Sequence, residues 1–272
     1  MNSLPIGAYA MLSDCHSAGL VSRDGSVDWL CLPRFDAPSV FCRLLDPAGG
    51  HFAIRPAGEF QVSRRYLDQT LVLETTFTTA RGTAVLTDAL AVGPLERGHH
   101  LGAHSPGTLL RSLACTRGEI EMEVSYAPRP EYGLIQPVLV SVPGGLAAQA
   151  GANRLFLSTS VSFGVDDGTA TARVRLSAGQ AAVFAFGHGD MAGPPLAPLT
   201  AEQITGQLND TVEGWRSWSA IHQNYEGPWR ELVRHSGRVL KAMTFAPTGA
   251  IVAAPTTSLP ETVGGEDRKS VV

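Results

Sequence analysis

The first 190 or so residues are divided into short apolar runs by turn-forming residues, and no helical periodicity interrupts them. One run, Val27–Leu32, follows an Asp-Gly pair, and in residues 119–124 Glu alternates with Ile, Met and Val. A period of two marks a half-buried strand. We read the Arg-Gly pair at 117–118 as a turn between the strands 108–116 and 119–128. Many short strands without helices predict a mainly β fold, a large antiparallel sandwich over residues 1–191.

A different pattern begins at the Pro-rich stretch near residue 192. Thr200 and Gln203 form a capping box, which is typical of a helix start. The next apolar residues fall on one helical face: Ile204, Leu208, Val212 and Trp215. We therefore expect a linker helix within 192–226. A second amphipathic helix is expected over 228–246, because Pro228 suits a first turn and Pro247 lies just beyond its end.

Composition excludes several classes of function. Hydrophobic residues make up 44% of the 272 residues, enough for a well-buried core, and the formal net charge of −4 gives no basic footprint for nucleic acid. No apolar stretch is long enough to span a bilayer and no signal peptide is recognisable, so we expect a cytoplasmic protein that binds no membrane. The four cysteines show no CxxC spacing and are expected to be reduced and buried.

No cofactor or metal site is indicated by the sequence. The histidines at 99, 100 and 104 lie on a Gly/Pro loop without a carboxylate partner, so we expect them to be exposed to solvent. The oligomeric state stays open.

The loop between Pro33 and Pro38 holds three chemically distinct side chains, Arg34, Phe35 and Asp36. Two prolines lower the entropic cost of keeping a loop in one conformation. This loop either only joins two strands or presents its three side chains to a ligand.

Two long motifs resemble those of a known family. They are DCHSAGLVSRDGSVDWLCLPRFDAPSVFCRLLD at 14–46 and LVRHSGRVLKAMTFAPTGAIVAAPTTSLPETVGGE at 232–266. Both are similar to motifs of bacterial glycoside hydrolase family 15, the glucoamylase and trehalase-like group, and the resemblance runs from about residue 5 to Glu266. It implies a galactose-mutarotase-like super-β-sandwich, a helical linker at 192–226, and the start of an (α/α)6 barrel at 227–266.

The resemblance also implies an activity, the inverting hydrolysis of α-glucosidic bonds in trehalose or a maltodextrin. This reaction needs two carboxyl groups ~6.5–9.5 Å apart, one as acid and one as base. In the family both catalytic glutamates follow the Gly-Gly-Glu region, so we expect no catalytic residue in this chain and no activity from it alone. We interpret residues 267–272, which depart from the family pattern, as a sequencing-adapter scar; the alternative is a natural short paralogue.

The resemblance suggests substrate-binding residues in two segments. In the loop, Arg34 and Asp36 can hydrogen-bond sugar hydroxyls and Phe35 can stack on a pyranose ring. After the second helix, Thr256 and Thr257 can line the sugar pocket, or they can cap local backbone groups. The rival interpretation is a stand-alone, non-catalytic carbohydrate-binding or scaffolding sandwich. It is disfavoured by the apolar face of the second helix, which has no partner in the chain.

Overall fold

The computed structural model describes residues 4–151, 153–190, 193, 196–222 and 224–256. Its strands are β1 Ala10–Ser13, β2 Ala18–Val21, β3 Ser26–Cys31, β4 Ser39–Phe41, β5 His51–Pro56, β6 Gln61–Tyr66, β7 Leu73–Thr78, β8 Gly82–Leu90, β9 Thr108–Ala127, β10 Val138–Val142, β11 Gly145–Ala150, β12 Asn153–Ser158, β13 Gly164–Asp166, β14 Thr169–Ser177, β15 Ala181–Asp190, β16 Thr244–Phe245 and β17 Ala250–Ile251. Its α-helices are α1 Ala201–His222 and α2 Arg230–Ala242.

The strands β1 to β15 form one hydrogen-bonded, antiparallel system that is folded into two layers. The first layer has the order β1-β2-β3-β5-β9-β14-β13, with β4 beside β3. The second has the order β6-β7-β8-β9-β15-β12-β11-β10. The mainly β prediction is confirmed, and the arrangement fits a β-sandwich.

Strand β9 belongs to both layers. Its first half pairs with β8 and β15, and its second half pairs with β5 and β14. The prediction of a turn at 117–118 is therefore wrong, because the chain continues as one 20-residue strand. Gly118 has a φ of +67°, which a residue without Cβ adopts at little cost, and it lies where β9 passes from one layer to the other.

The core lies between the two layers and is rich in aromatic residues. The Phe52 and Phe184 rings, one from each layer, have centroids 6.0 Å apart in an edge-to-face arrangement. The layers are also joined by Arg111 of β9, which is fully buried. Its guanidinium pairs with Asp88 at 2.8 Å and donates to the main-chain carbonyls of Gly25 and Phe52 in the other layer.

Helix α1 begins as the sequence predicts. The Thr200 hydroxyl accepts from the Gln203 N–H, and the Gln203 side chain accepts from the Thr200 N–H, which completes the capping box. Ile204 and Trp215 are fully buried against the second layer. The apolar face of α1 is therefore covered within this chain.

Helix α2 has the opposite arrangement. Its charged side faces the sandwich, where Arg238 is buried and the His235 ring stacks 5.1 Å from that of Tyr66. Its apolar side faces outward, with Leu232 67% and Leu240 54% exposed. Among the described residues nothing covers this face.

Candidate functional site

The Pro33–Pro38 loop follows β3 and projects its two charged side chains into solvent. Arg34 donates to both carboxylate oxygens of Asp36, and the Nε–Oδ1 distance is 2.9 Å. The bidentate hydrogen bonds from Arg34 hold the pKa of the Asp36 carboxyl below its usual range. The loop thus displays one paired cation and anion, each of which can exchange its partner for the hydroxyls of a ligand.

Phe35 points the other way and is only 3% exposed. Its ring packs edge-to-face against Phe245 of β16, with centroids 6.5 Å apart, and its N–H donates to the carbonyl of His16. The guanidinium of Arg34 also lies 5.6 Å from the centre of the Phe245 ring. Phe35 therefore fixes the loop to the segment after α2, and in this arrangement its ring face is not open to a ligand.

The segment after α2 contacts β3 at Trp29. Trp29 of β3 is fully buried, and its indole N–H donates to the Pro255 carbonyl at 3.2 Å. Thr256 is the next residue and is partly exposed. Thr257 lies outside the described residues. The structure therefore brings the loop and the Thr256 segment to the same strand, by way of Phe245 and Trp29.

A tight turn at residues 14–17 contacts both Phe35 and Phe245 through His16. One carboxylate oxygen of Asp14 accepts from the N–H groups of His16 and Ser17 at 2.9 and 2.8 Å. Its other oxygen is buried and has no hydrogen-bond partner in the described structure. Burial raises the pKa of Asp14 to about 6, although the two N–H donors oppose the rise.

The same turn is attached to two other segments. The His16 ring packs against Phe245 at 5.6 Å, and its Nε2 lies 2.8 Å from the Gly102 carbonyl oxygen. Cys15 accepts from the N–H of Ala246 at its carbonyl. The turn thus links the residues that hold the candidate loop to the 93–104 loop and to the end of α2.

The 93–104 loop is organised around a buried carboxylate, Glu96. Its two oxygens accept from the main-chain N–H groups of Gly93, Gly102 and His104. The three histidines are exposed, as predicted, but the expectation that they lack a carboxylate partner is wrong for His104, whose Nδ1 lies 3.4 Å from a Glu96 oxygen. No group of three or more metal-ligating side chains is found among the described residues.

Asp14, Glu96 and Phe245 are the supporting residues that the sequence reasoning missed. For Asp14 a local signal exists, since an Asp followed two and three residues later by backbone donors is typical of an Asx-turn. Glu96 is the one acid in a Gly, Pro and His loop. Phe245 gives no local signal, because its importance comes from long-range contacts with residues 16 and 35.

The acidic side chains that the structure describes in this region are held by donors within the chain. Asp36 is neutralised by Arg34, and Asp14 and Glu96 are engaged by main-chain donors. Glu226 and Glu231, near the start of α2, form exposed ion pairs with Arg230. The arrangement offers one exposed cation and one exposed anion to a polar ligand at the loop.

No helix in the described part of the chain combines the length and apolarity needed to cross a lipid bilayer.

Comparison of the sequence with known proteins identifies one matching family and several related proteins. The family described as "Trehalase-like, N-terminal" matches residues 1–197. The trehalase of Mycolicibacterium smegmatis is 38% identical and that of Mycobacterium tuberculosis 36% identical, each over 96% of this chain and 41% of the relative. The trehalase of Thermoplasma acidophilum is 29% identical over 91% of this chain and 42% of the relative. The chain thus spans about two fifths of the length of these relatives.

Among solved structures, the chain called "Putative kojibiose phosphorylase from human microbiome" resembles this fold with a TM-score of 0.51 at 10% identity. The match covers 91% of this chain and 41% of that one. At this identity the likeness concerns the fold alone. Since the family match covers more than half of the sequence, this chain belongs to the trehalase-like N-terminal family.

Proposed function

We propose that this chain is the N-terminal part of an inverting α-glucoside hydrolase of glycoside hydrolase family 15 that acts on trehalose. The observation that carries the proposal is the alignment of 96% of the chain with proteins named trehalase, at 38% and 36% identity. Those relatives are more than twice as long as the aligned part, so their length leaves room for the catalytic carboxylates outside the matched region. A maltodextrin is the alternative substrate.

We assign the parts of the chain accordingly. Residues 1–191 form a galactose-mutarotase-like sandwich, 192–226 a linker helix, 227–266 the start of an (α/α)6 barrel, and 267–272 an adapter-derived scar. The outward apolar face of α2 supports the barrel assignment, because Leu232 and Leu240 suit packing against further barrel helices. Cys15, Cys31, Cys42 and Cys115 are buried and form no disulfide, which supports a cytoplasmic location.

The loop is proposed to close one side of the sugar pocket. Arg34 and Asp36 bind hydroxyls of the α-glucoside, and Phe35 keeps the loop in place through Phe245. Thr256 and Thr257 contribute hydroxyls from the segment after α2. The proximity of Phe245 and Pro255 to the loop and to Trp29 supports a shared site.

The test is an assay of glucose release from trehalose and from maltose. The 272-residue chain is compared with the product of the source gene read past the codon for Glu266. We expect no glucose from the 272-residue chain, and faster release from trehalose than from maltose by the longer product. If the source gene itself stops after Val272, the proposal fails and a stand-alone carbohydrate-binding sandwich becomes the leading account.

The role of the loop is tested in the longer product with Arg34→Ala and Asp36→Ala. Loss of a hydrogen bond between a charged group and a substrate hydroxyl costs about 1.5–3 kcal/mol, so kcat/KM for trehalose is expected to fall roughly 10- to 150-fold. The matched control is Arg65→Ala, which breaks an exposed ion pair with Glu74 in β6 and β7. If the loop variants behave like this control, the loop does not contact substrate.

A further inference from the structure

A groove of about 690 Å³ lies on the sandwich between the end of β10, the segment 159–163 and the start of α1. Its volume is within the range of small-molecule sites, roughly 300–1,000 Å³. It shares no lining residue with the Pro33–Pro38 loop or with the segment after α2. It is therefore separate from the candidate site described above.

The described residues that line the groove carry no charged side chain. A phosphate, a nucleotide or an acidic peptide would lose hydration there without meeting a countercharge, which is costly. The groove chemistry therefore fits an uncharged ligand.

Five side-chain hydroxyls line the groove. Those of Ser141, Ser160 and Ser162 are exposed, and within the described structure none of the three has a hydrogen-bond partner. The hydroxyls of Thr159 and Thr200 accept from main-chain N–H groups, which leaves each free to donate its proton. A ligand in this groove would meet several uncommitted donors and acceptors within one concave surface.

The rest of the lining is apolar. Val161 and Phe163 alternate with the serines of the 159–163 segment, are half-buried and pack against the core. Hydroxyls and apolar surface in alternation match a sugar, whose hydroxyls lie at the ring edge and whose C–H groups lie on the ring face. An extended peptide is a poorer match, because it needs a row of unpaired backbone groups and β10 reaches the groove only through Ser141 and Val142.

We propose that this groove is a non-catalytic binding site for a short neutral oligosaccharide. Ser141, Ser160 and Ser162 hydrogen-bond its hydroxyls, and Phe163 packs against the face of one ring. The site does not depend on the proposed hydrolase function, since it uses other residues and can act in the 272-residue chain.

The test is isothermal titration calorimetry of the 272-residue chain with maltotetraose and with cellotetraose. We expect at least one of them to bind with a 1:1 stoichiometry. Ser162→Arg and, independently, Ser160→Arg fill the groove with a long charged side chain at an exposed position. Each is expected to weaken binding at least tenfold while the melting temperature stays within a few degrees of the unchanged chain.

The matched control is Ser63→Arg, which adds the same charge at an exposed serine on β6. It is expected to leave binding unchanged. The proposal is overturned if neither oligosaccharide binds, or if both groove variants bind as tightly as the control. Binding of an uncharged, end-blocked Ser/Val octapeptide in place of the sugars, lost in the same variants, would also overturn it and assign the groove to a peptide.

Discussion

Burial of the Asp14 side chain disfavours its charged form. The carboxyl is fully buried, and only one of its oxygens is hydrogen-bonded within the described structure. Because water is excluded, the charged form is disfavoured and the pKa of Asp14 rises from 3.8 to about 6. The group therefore keeps its proton in the folded state over a pH range in which the unfolded chain has already lost it.

This shift predicts a pH-dependent difference in stability between the chain and its Asp14→Asn variant. As pH rises from about 4 to 6, the unfolded state binds fewer protons at this residue than the folded state, so Asp14 lowers the free energy of unfolding. Above about pH 6 Asp14 has lowered the free energy of unfolding by its full amount, and a further rise in pH does not change that amount. Asn keeps the acceptor for His16 and Ser17 without a charge, so the variant is expected to be more stable by about 2–3 kcal/mol at pH 7.

Urea unfolding of both proteins at pH 4, 5, 6 and 7 measures this difference. Asp166→Asn, which replaces an exposed carboxyl in β13 with the same amide, is the matched control. A difference that is absent, or that shrinks as pH rises, would contradict the assignment of a buried, protonated Asp14.

Arg111, unlike Asp14, is a buried charge that is paired with an opposite charge and with hydrogen-bond acceptors. It pairs with Asp88 and donates to two carbonyls of the opposite layer. Arg111→Met leaves the Asp88 carboxylate buried without its cation, so the free energy of unfolding should fall by roughly 3–5 kcal/mol. The exposed pair of Arg65 gives the comparison, since Arg65→Met should cost at most about 1 kcal/mol in the same denaturation experiment. Equal losses for the two variants would contradict the role of Arg111 in joining the layers.

At the scale of elements, the two helices differ in which face they bury. Helix α1 covers its apolar face against the second layer, whereas α2 turns Leu232 and Leu240 outward and keeps Arg238 inside. A helix that exposes its apolar face marks an interaction surface. This contrast can be measured in the 272-residue chain.

We expect Ile204→Ala in α1 to lower the free energy of unfolding by about 2–5 kcal/mol, because it removes a buried side chain. Leu232→Ala in α2 should change it by less than about 0.5 kcal/mol, because that side chain is exposed. Thermal or urea unfolding of both variants checks this. A large loss for Leu232→Ala would mean that α2 packs through its apolar face within this chain.

The elements could largely be predicted from the sequence, because their signals are local. The alternation at 119–124 places Ile120, Met122 and Val124 in the core, and the capping box places the start of α1. The continuity of β9 could not be predicted, since the Arg-Gly pair at 117–118 has the same composition in a turn as in a strand that changes layers. The local sequence also could not predict that Arg34 pairs with Asp36, or that Phe35 is buried against Phe245, which lies more than 200 residues away in the chain.

At the scale of the whole molecule, the sandwich, α1 and α2 form a body in which no described residue covers the outward apolar face of α2 or the charged side chains of the candidate loop. The relatives extend well beyond the matched region, by about three fifths of their length. We propose that this body works as the N-terminal part of a trehalose hydrolase. It should then be able to replace the corresponding part of a relative.

This proposal is tested by trehalose hydrolysis with a chimera in which residues 1–266 of this chain replace the aligned 41% of the Mycolicibacterium smegmatis trehalase. We expect the chimera to release glucose from trehalose, and we expect Leu232→Glu with Leu240→Glu to abolish this activity while the 272-residue chain carrying both changes stays folded. A chimera that folds, as judged by circular dichroism and a cooperative melting transition, but releases no glucose under conditions in which the parent trehalase is active would contradict the account.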